Sequence, residues 1–86
     1  MVRHTQGVSR DPYIKAFGSR VRSLRQERGL TQEQLAAIAG MHFSAIGHIE
    51  RASRSSTLET VVKLSRALKV QPSQLLPELN LQSKRR

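Results

Sequence analysis

The residues whose types and spacing could do chemistry lie between positions 32 and 56, and the chemistry they suit is recognition. In the stretch QEQLAAIAGMHFSAIGHIER, residues 32–51, Ser44, Gly47, His48 and Arg51 recur at i, i+3, i+4 and i+7. That spacing puts side chains on one face of a helix. The face is small and polar, and its one full charge, Arg51, stands at the C-terminal end. An α-helix fits the major groove of B-DNA with its first residues at base edges and its flanks at phosphates, and a small-residue face permits the close approach this needs. Gly47 strengthens the reading, because glycine inside a helix costs about 1 kcal/mol relative to alanine. Such a cost makes sense where a backbone must approach another surface; on a merely solvated helix it would be neutral drift.

Catalysis finds no comparable grouping. His42 and His48 are six positions apart, which on a helix sets them on opposite sides and not in the i, i+4 relation that two metal ligands on one face require. The chain has no cysteine, hence no thiolate metal site and no disulfide. No glycine-rich phosphate loop precedes a helix, no two carboxylates stand close in sequence, and no serine is marked by a base and an oxyanion site. The expectation is a protein with no catalytic residue, no metal and no cofactor.

The elements that must position this face follow from capping and periodicity. Thr31 and Gln34 form a capping box that starts one helix. Leu35, Ile38 and Ala39 share a face of it, Ala36 and Ala37 allow close packing, and Gly40 ends it because a sharp turn needs a residue at positive φ. Met41 then points to the core, His42 or Phe43 opens the next helix, and Ile46 and Ile49 form its buried stripe. Upstream, Asp11-Pro12 starts a helix that runs to Arg28 on a core face of Ile14, Phe17, Val21 and Leu24. Gly29 stops it and Leu30 folds back. Arg20, Arg22, Arg25 and Arg28 lie on the remaining surface, most of them as a solvated face, with one or two near the helix end placed to meet backbone phosphates. Downstream, polar residues 51–56 precede a helix capped by Ser56 or Thr57 and running to about Leu68 on Leu58, Val61, Leu64 and Leu68. Val70 repeats the part of Leu30, Gln71-Pro72 starts a short fifth helix, and Leu75 and Leu76 close the core before Pro77.

This divides the chain into a flexible basic arm, residues 1–11, a helical domain, residues 12–78, and a basic tail, residues 79–86. The arm either stays unstructured or reaches a minor groove. Leu79 and Leu81 have little further core to join in so small a domain, so either a two-fold partner covers them or they cap their own protomer.

Fifteen lysines and arginines against six acids give a net charge of +9 over 86 residues, a field that draws polyanions from solution. An anionic membrane surface would need a helix basic on one face and rich in large apolar residues on the other. The first helix comes nearest, and its apolar stripe reads as core. No run approaches the roughly 20 apolar residues that span a bilayer, and no apolar segment follows the basic start MVRHTQG as a secretory signal requires. A cytoplasmic protein is expected. Two phenylalanines and one tyrosine are too few for the stacking platform that holds single strands, so double-stranded DNA is the expected partner.

The same residues resemble the Cro and lambda-repressor-like helix-turn-helix family. Gln32, Leu35, Ala36, Gly40, Met41, Ile46, Ile49 and the Ile49-Glu50-Arg51 exit fall where that family's motif has glutamine, hydrophobe, small residue, turn glycine, hydrophobes and helix exit, and the match extends from Phe17 to Leu76. The resemblance implies an all-α, compact five-helix domain with residues 43–51 as the recognition helix. It implies that His42, Phe43, Ser44 and His48 read bases beside Gly47, that Gln32 and Arg51 hold phosphates, and that Arg25 pairs with Glu50. In the family's docking geometry the loop with Arg54 and Ser55 runs along the sugar-phosphate backbone. Phe43 either touches thymine methyls or tucks against the neighbouring turn; His48 donates to a guanine edge or a phosphate. Pairing through the last helices would make a homodimer contact of Val70, Leu75, Leu76, Leu79 and Leu81.

Ala52 and Lys69 stand where the family has glycine after the third and fourth helices. A left-handed backbone there would cost about 1–2 kcal/mol each, so local reshaping of both exits is expected. The implied activity is sequence-specific transcription regulation by a dimer on a palindromic operator, within a restriction-modification or mobile-element gene set. The alternatives are the antitoxin half of a toxin–antitoxin pair, with a toxin protein as partner, and a non-enzymatic adaptor that bridges proteins.

Overall fold

A computed structural model describes residues 11–53 and 55–77. The expected basic arm, Arg54, Leu79, Leu81 and the tail lie outside the described residues. The order is α1 (Pro12–Glu27), α2 (Gln32–Ala39), α3 (Phe43–Glu50), α4 (Leu58–Leu68) and α5 (Pro72–Leu75), all helix among the described residues. The starts are those the capping residues specify. The Asp11 carboxylate accepts from the Tyr13 N–H at 2.8 Å with Pro12 behind it, and Thr31 and Gln34 satisfy each other's backbone donors at 3.0 and 2.9 Å. Of the two candidates ahead of α4, Thr57 is the cap, accepting from the Thr60 N–H.

The first four helices end in one way. One or two residues past each end the backbone turns left-handed, and the N–H of the residue after that turn reaches back five positions: Leu30 to the Arg25 carbonyl, Met41 to Ala36, Ser53 to His48 and Val70 to Ser65, at 2.9–3.1 Å. This is the Schellman arrangement, which satisfies carbonyls that a helix end leaves orphaned. Gly29 and Gly40 supply two of the left-handed residues; Ala52 (φ 58°) and Lys69 (φ 61°) supply the others. The expected reshaping of those two exits does not occur. The paired hydrogen bonds and the inward-turned residues beyond them hold the turn despite the Cβ.

The core joins Phe17, Val21 and Leu24 of α1, Leu35 and Ala36 of α2, Ile46 and Ile49 of α3, Val61, Leu64 and Leu68 of α4, and Leu75. Four apolar residues expected there sit differently. Ile38 is 58% exposed, because the inward face of α2 is centred on Leu35, Ala36 and Ala39, about a quarter-turn away. Leu58 is 76% exposed: as the first residue of α4 it projects beyond the last layer of core, and Ser65 joins the buried stripe instead, its hydroxyl donating to the Val62 carbonyl at 2.9 Å. Ile14 is half-buried. Leu76 is 49% exposed while Leu75 is fully buried, since the single turn of α5 can aim only one of two adjacent residues inward. Leu75 therefore belongs to its own protomer's core and cannot form the expected dimer contact.

The arginines of α1 are less a solvated face than ties to other elements. The guanidinium of Arg20 donates to the Gln74 carbonyl at 2.8 Å and that of Arg28 to the Leu68 carbonyl at 2.6 Å. Each places a cation at a helix C-terminus, where the dipole favours it.

The strained exit of α4 makes a direct prediction. Lys69→Gly raises stability by about 1 kcal/mol, the left-handed penalty less the extra freedom glycine gains unfolded. Urea denaturation checks this, with Lys69→Ala as the reference that gains nothing.

Candidate nucleic-acid interface

The turn between α2 and α3 is built by Gly40, at φ 70°, and by Met41, which is half-buried against the core. His42 caps α3 with its ring: Nδ1 accepts from the Ser44 N–H at 3.2 Å and lies 2.9 Å from the Ser44 hydroxyl. A ring nitrogen that accepts carries no proton, so in the neutral ring the hydrogen sits on Nε2. The His42 ring also stacks on Phe43, centroids 4.7 Å apart. Phe43 is 57% exposed. It stacks on its neighbour and lines a shallow depression with Arg25, Thr31, Gln32 and Glu33, and so is not tucked away. The N-terminal end of α3 thus presents His42, Phe43 and Ser44 to solvent.

Behind this face lies a buried ionic cluster. Arg25 donates to both carboxylate oxygens of Glu50, Nε at 2.7 Å and Nη2 at 3.1 Å, and its Nη1 donates to the Leu30 carbonyl at 2.7 Å. The two side chains are only 11% and 3% exposed. Gln32 adds a third element, donating from Nε2 to Glu50 Oε1 at 3.1 Å. The pairing of Arg25 with Glu50 is the one the resemblance implies. The amide of Gln32, expected at a phosphate, spends one N–H on this cluster and keeps a second, since a side-chain amide has two donors.

Gly47 departs from expectation. It is buried, because the Arg51 side chain folds back over it: a Cβ there would stand 3.0 Å from Arg51 Nη1 and 3.7 Å from Gln32 Oε1. In this structure Gly47, expected beside the base readers, is covered by that side chain and not open to solvent. Arg51 Nη2 lies 3.2 Å from His48 Nδ1, and since arginine only donates, that nitrogen accepts and the neutral His48 ring carries its proton on Nε2. His48 is half-buried; it lines a cleft with Met41, Ala45 and the loop residues Ser55, Ser56 and Thr57. Ser53 donates its hydroxyl to the His48 carbonyl at 3.3 Å, and Ser55 is exposed. Among the described residues no group of three His, Cys, Asp or Glu side chains could hold a metal ion, and no helix is long and apolar enough to cross a membrane.

One positioning residue escaped the sequence reasoning. A Cβ at Gly18 would collide with the Ile49 carbonyl oxygen and press on the Glu50 backbone. Glycine lets α1 cross the end of α3 at backbone distance and so sets the depth of the recognition face. The signal was available, since a mid-helix glycine is as costly at 18 as at 47.

The helix-turn-helix family model matches residues 21–75. Over 63 residues the chain is 43% identical to the control protein C.SmaI of Serratia marcescens, spanning 73% of this chain and 75% of that one. The crystal structure of the restriction-modification controller protein C.AhdI of Aeromonas hydrophila superposes with a TM-score of 0.70 at 40% identity, covering 72% of this chain and 94% of that one. The P22 c2 repressor bound to a synthetic operator superposes at 0.66 and 32% identity, covering 70% and 91%. The chain belongs to the helix-turn-helix family of DNA-binding transcription regulators.

Two substitutions test how the face is held. Gly18→Ala destabilises the fold by about 3 kcal/mol, the upper range for overpacking, because backbone must move to admit the methyl. Glu50→Ala leaves the buried Arg25 charge unpaired and costs about 3–5 kcal/mol. Calorimetric or urea unfolding of each variant reads the loss.

Proposed function

We propose that the chain is a control protein of the restriction-modification type, binding a palindromic operator in double-stranded DNA as a homodimer and regulating transcription from it. The observation that carries this reading is the α3 face: His42, Phe43 and Ser44 are exposed to solvent at its N-terminal end, the end that meets base edges when such a helix enters a major groove. Its rear is locked to α1 and α2 through Glu50. The names of the relatives C.SmaI and C.AhdI favour a controller over an antitoxin or a bridging adaptor.

In this reading His42, Phe43, Ser44 and His48 meet base edges, and Gln32 and Ser55 meet the flanking phosphates. Arg54 would join them, although it lies outside the described residues. Two copies set recognition helices in successive major grooves about 34 Å apart. A surface open to pairing is the groove lined by Tyr13, Ile14, Leu76 and Pro77, where Leu76 is 49% exposed.

A dimer that meets about eight phosphates loses affinity for duplex DNA with salt at a log–log slope near −7. Ser44→Ala and His48→Ala relax the preferred sequence, by about 1–3 kcal/mol where the lost base contact is bidentate, whereas Ser55→Ala weakens all sites alike. Quantitative footprinting across salt concentrations checks both, and a slope near zero with no protected sequence overturns the reading.

A further inference from the structure

The resemblance assigns Arg51 to a phosphate, but its side chain does not extend outward from the end of α3. It lies back along the helix, with Nη1 over the α-carbon of Gly47 and Nη2 against Nδ1 of His48. Gly47 shares its row with Ser44, one helical turn apart, and that row is the one turned to the groove if α3 docks as proposed. The guanidinium is thus drawn from the helix end onto the reading face. Three features make the seat. Glycine at 47 leaves the room, since a methyl would stand 3.0 Å from Nη1. His48 offers an acceptor at 3.2 Å, and Gln32, anchored through its Nε2 on Glu50, borders the far side with Oε1.

We infer that Arg51 is a base reader selecting guanine, and that Gly47 is the positioning residue that seats it; the inference rests on the DNA-binding reading above. A planar guanidinium matches the O6 and N7 acceptors of guanine in the major groove, the commonest specific contact in such complexes. Arg51 has five N–H groups and gives one to His48, so a pair remains for the base. His48 holds the fork in orientation, and its Nε2–H adds a donor of the same sign. The seated group is wholly donor in character, which excludes the exocyclic amines of adenine and cytosine at that position. The helix-weakening glycine at 47 is accounted for by its effect on a side chain four residues away.

The experiment uses the full chain and a set of duplexes obtained by selection from random sequence. For each guanine in the selected half-site, a duplex carries 7-deazaguanine, which lacks the N7 acceptor. With the unsubstituted protein, one such guanine lowers affinity about ten-fold on replacement. That penalty disappears in Arg51→Ala and in Gly47→Ala, and the double variant behaves as either single one. Urea denaturation shows Gly47→Ala at least as stable as the parent, because alanine favours the helix. If both variants keep the penalty and weaken every duplex alike, with the salt slope reduced by about 1, Arg51 holds a phosphate and the inference is wrong. If only Arg51→Ala loses the penalty, Gly47 does not position it and that half of the inference is wrong. Failure of the parent protein to select any sequence instead removes the DNA-binding reading itself.

Discussion

The carboxylate of Glu50 ties the reading helix to both helices behind it. α2 and α3 are eight residues each, too short to persist as isolated helices, so both their existence and their orientation come from tertiary contact. Apolar packing of Leu35, Ala36, Ile46 and Ile49 holds them together, but it is non-directional and tolerates small slides. The bidentate bond from Arg25 and the amide of Gln32 fix the last turn of α3 against α1 and α2 at hydrogen-bond precision. A buried ion pair of this kind adds little net stability over an apolar substitute; its contribution here is registry. Gly18, on the same helix as Arg25, complements it by letting the backbone of α1 approach the same turn closely.

The helix exits extend the same logic to the surface. At Ala52 the left-handed turn returns the chain so that Ser53 bonds the His48 carbonyl through both its N–H and its hydroxyl. The cleft beside His48 is then walled by the loop from Ser55 to Thr57. The loop proposed to meet DNA backbone and the helix proposed to meet bases thereby line one cleft. The charge distribution is similarly divided. Although the chain carries +9, Arg20, Arg25 and Arg28 are bonded to carbonyls or to Glu50 of the same chain, so the net charge overstates the cations wholly available to a partner.

Much of this was legible in the chain. Local backbone chemistry was readable because it depends on neighbours in sequence: the Asp11 and Thr31 caps, the glycines that end α1 and α2, and the fold-back of Leu30 and Val70. Periodicity identified which residues share a face but not whether another element covers that face. Ile38, Leu58 and Leu76 are more exposed than expected for that reason, whereas Leu75, expected both to close the core and to join a dimer contact, lies in the core. The exits at Ala52 and Lys69 were misjudged because a local steric penalty of about 1–2 kcal/mol per residue was weighed without the hydrogen bonds and apolar contacts that offset it.

By itself, then, the sequence determined five helices, their starts to within a residue and most of their ends, and which helix is proposed to face a partner. These follow from interactions no more than about one helical turn long, whose participants are written side by side. Tertiary structure alone decided that Gly47 is roofed by Arg51, that His48 accepts from Arg51 through Nδ1, and that Gly18 is a point of contact between backbones. Each of these depends on where a long side chain or a second helix comes to rest in space, a choice made by packing and hydrogen-bond satisfaction across the whole domain.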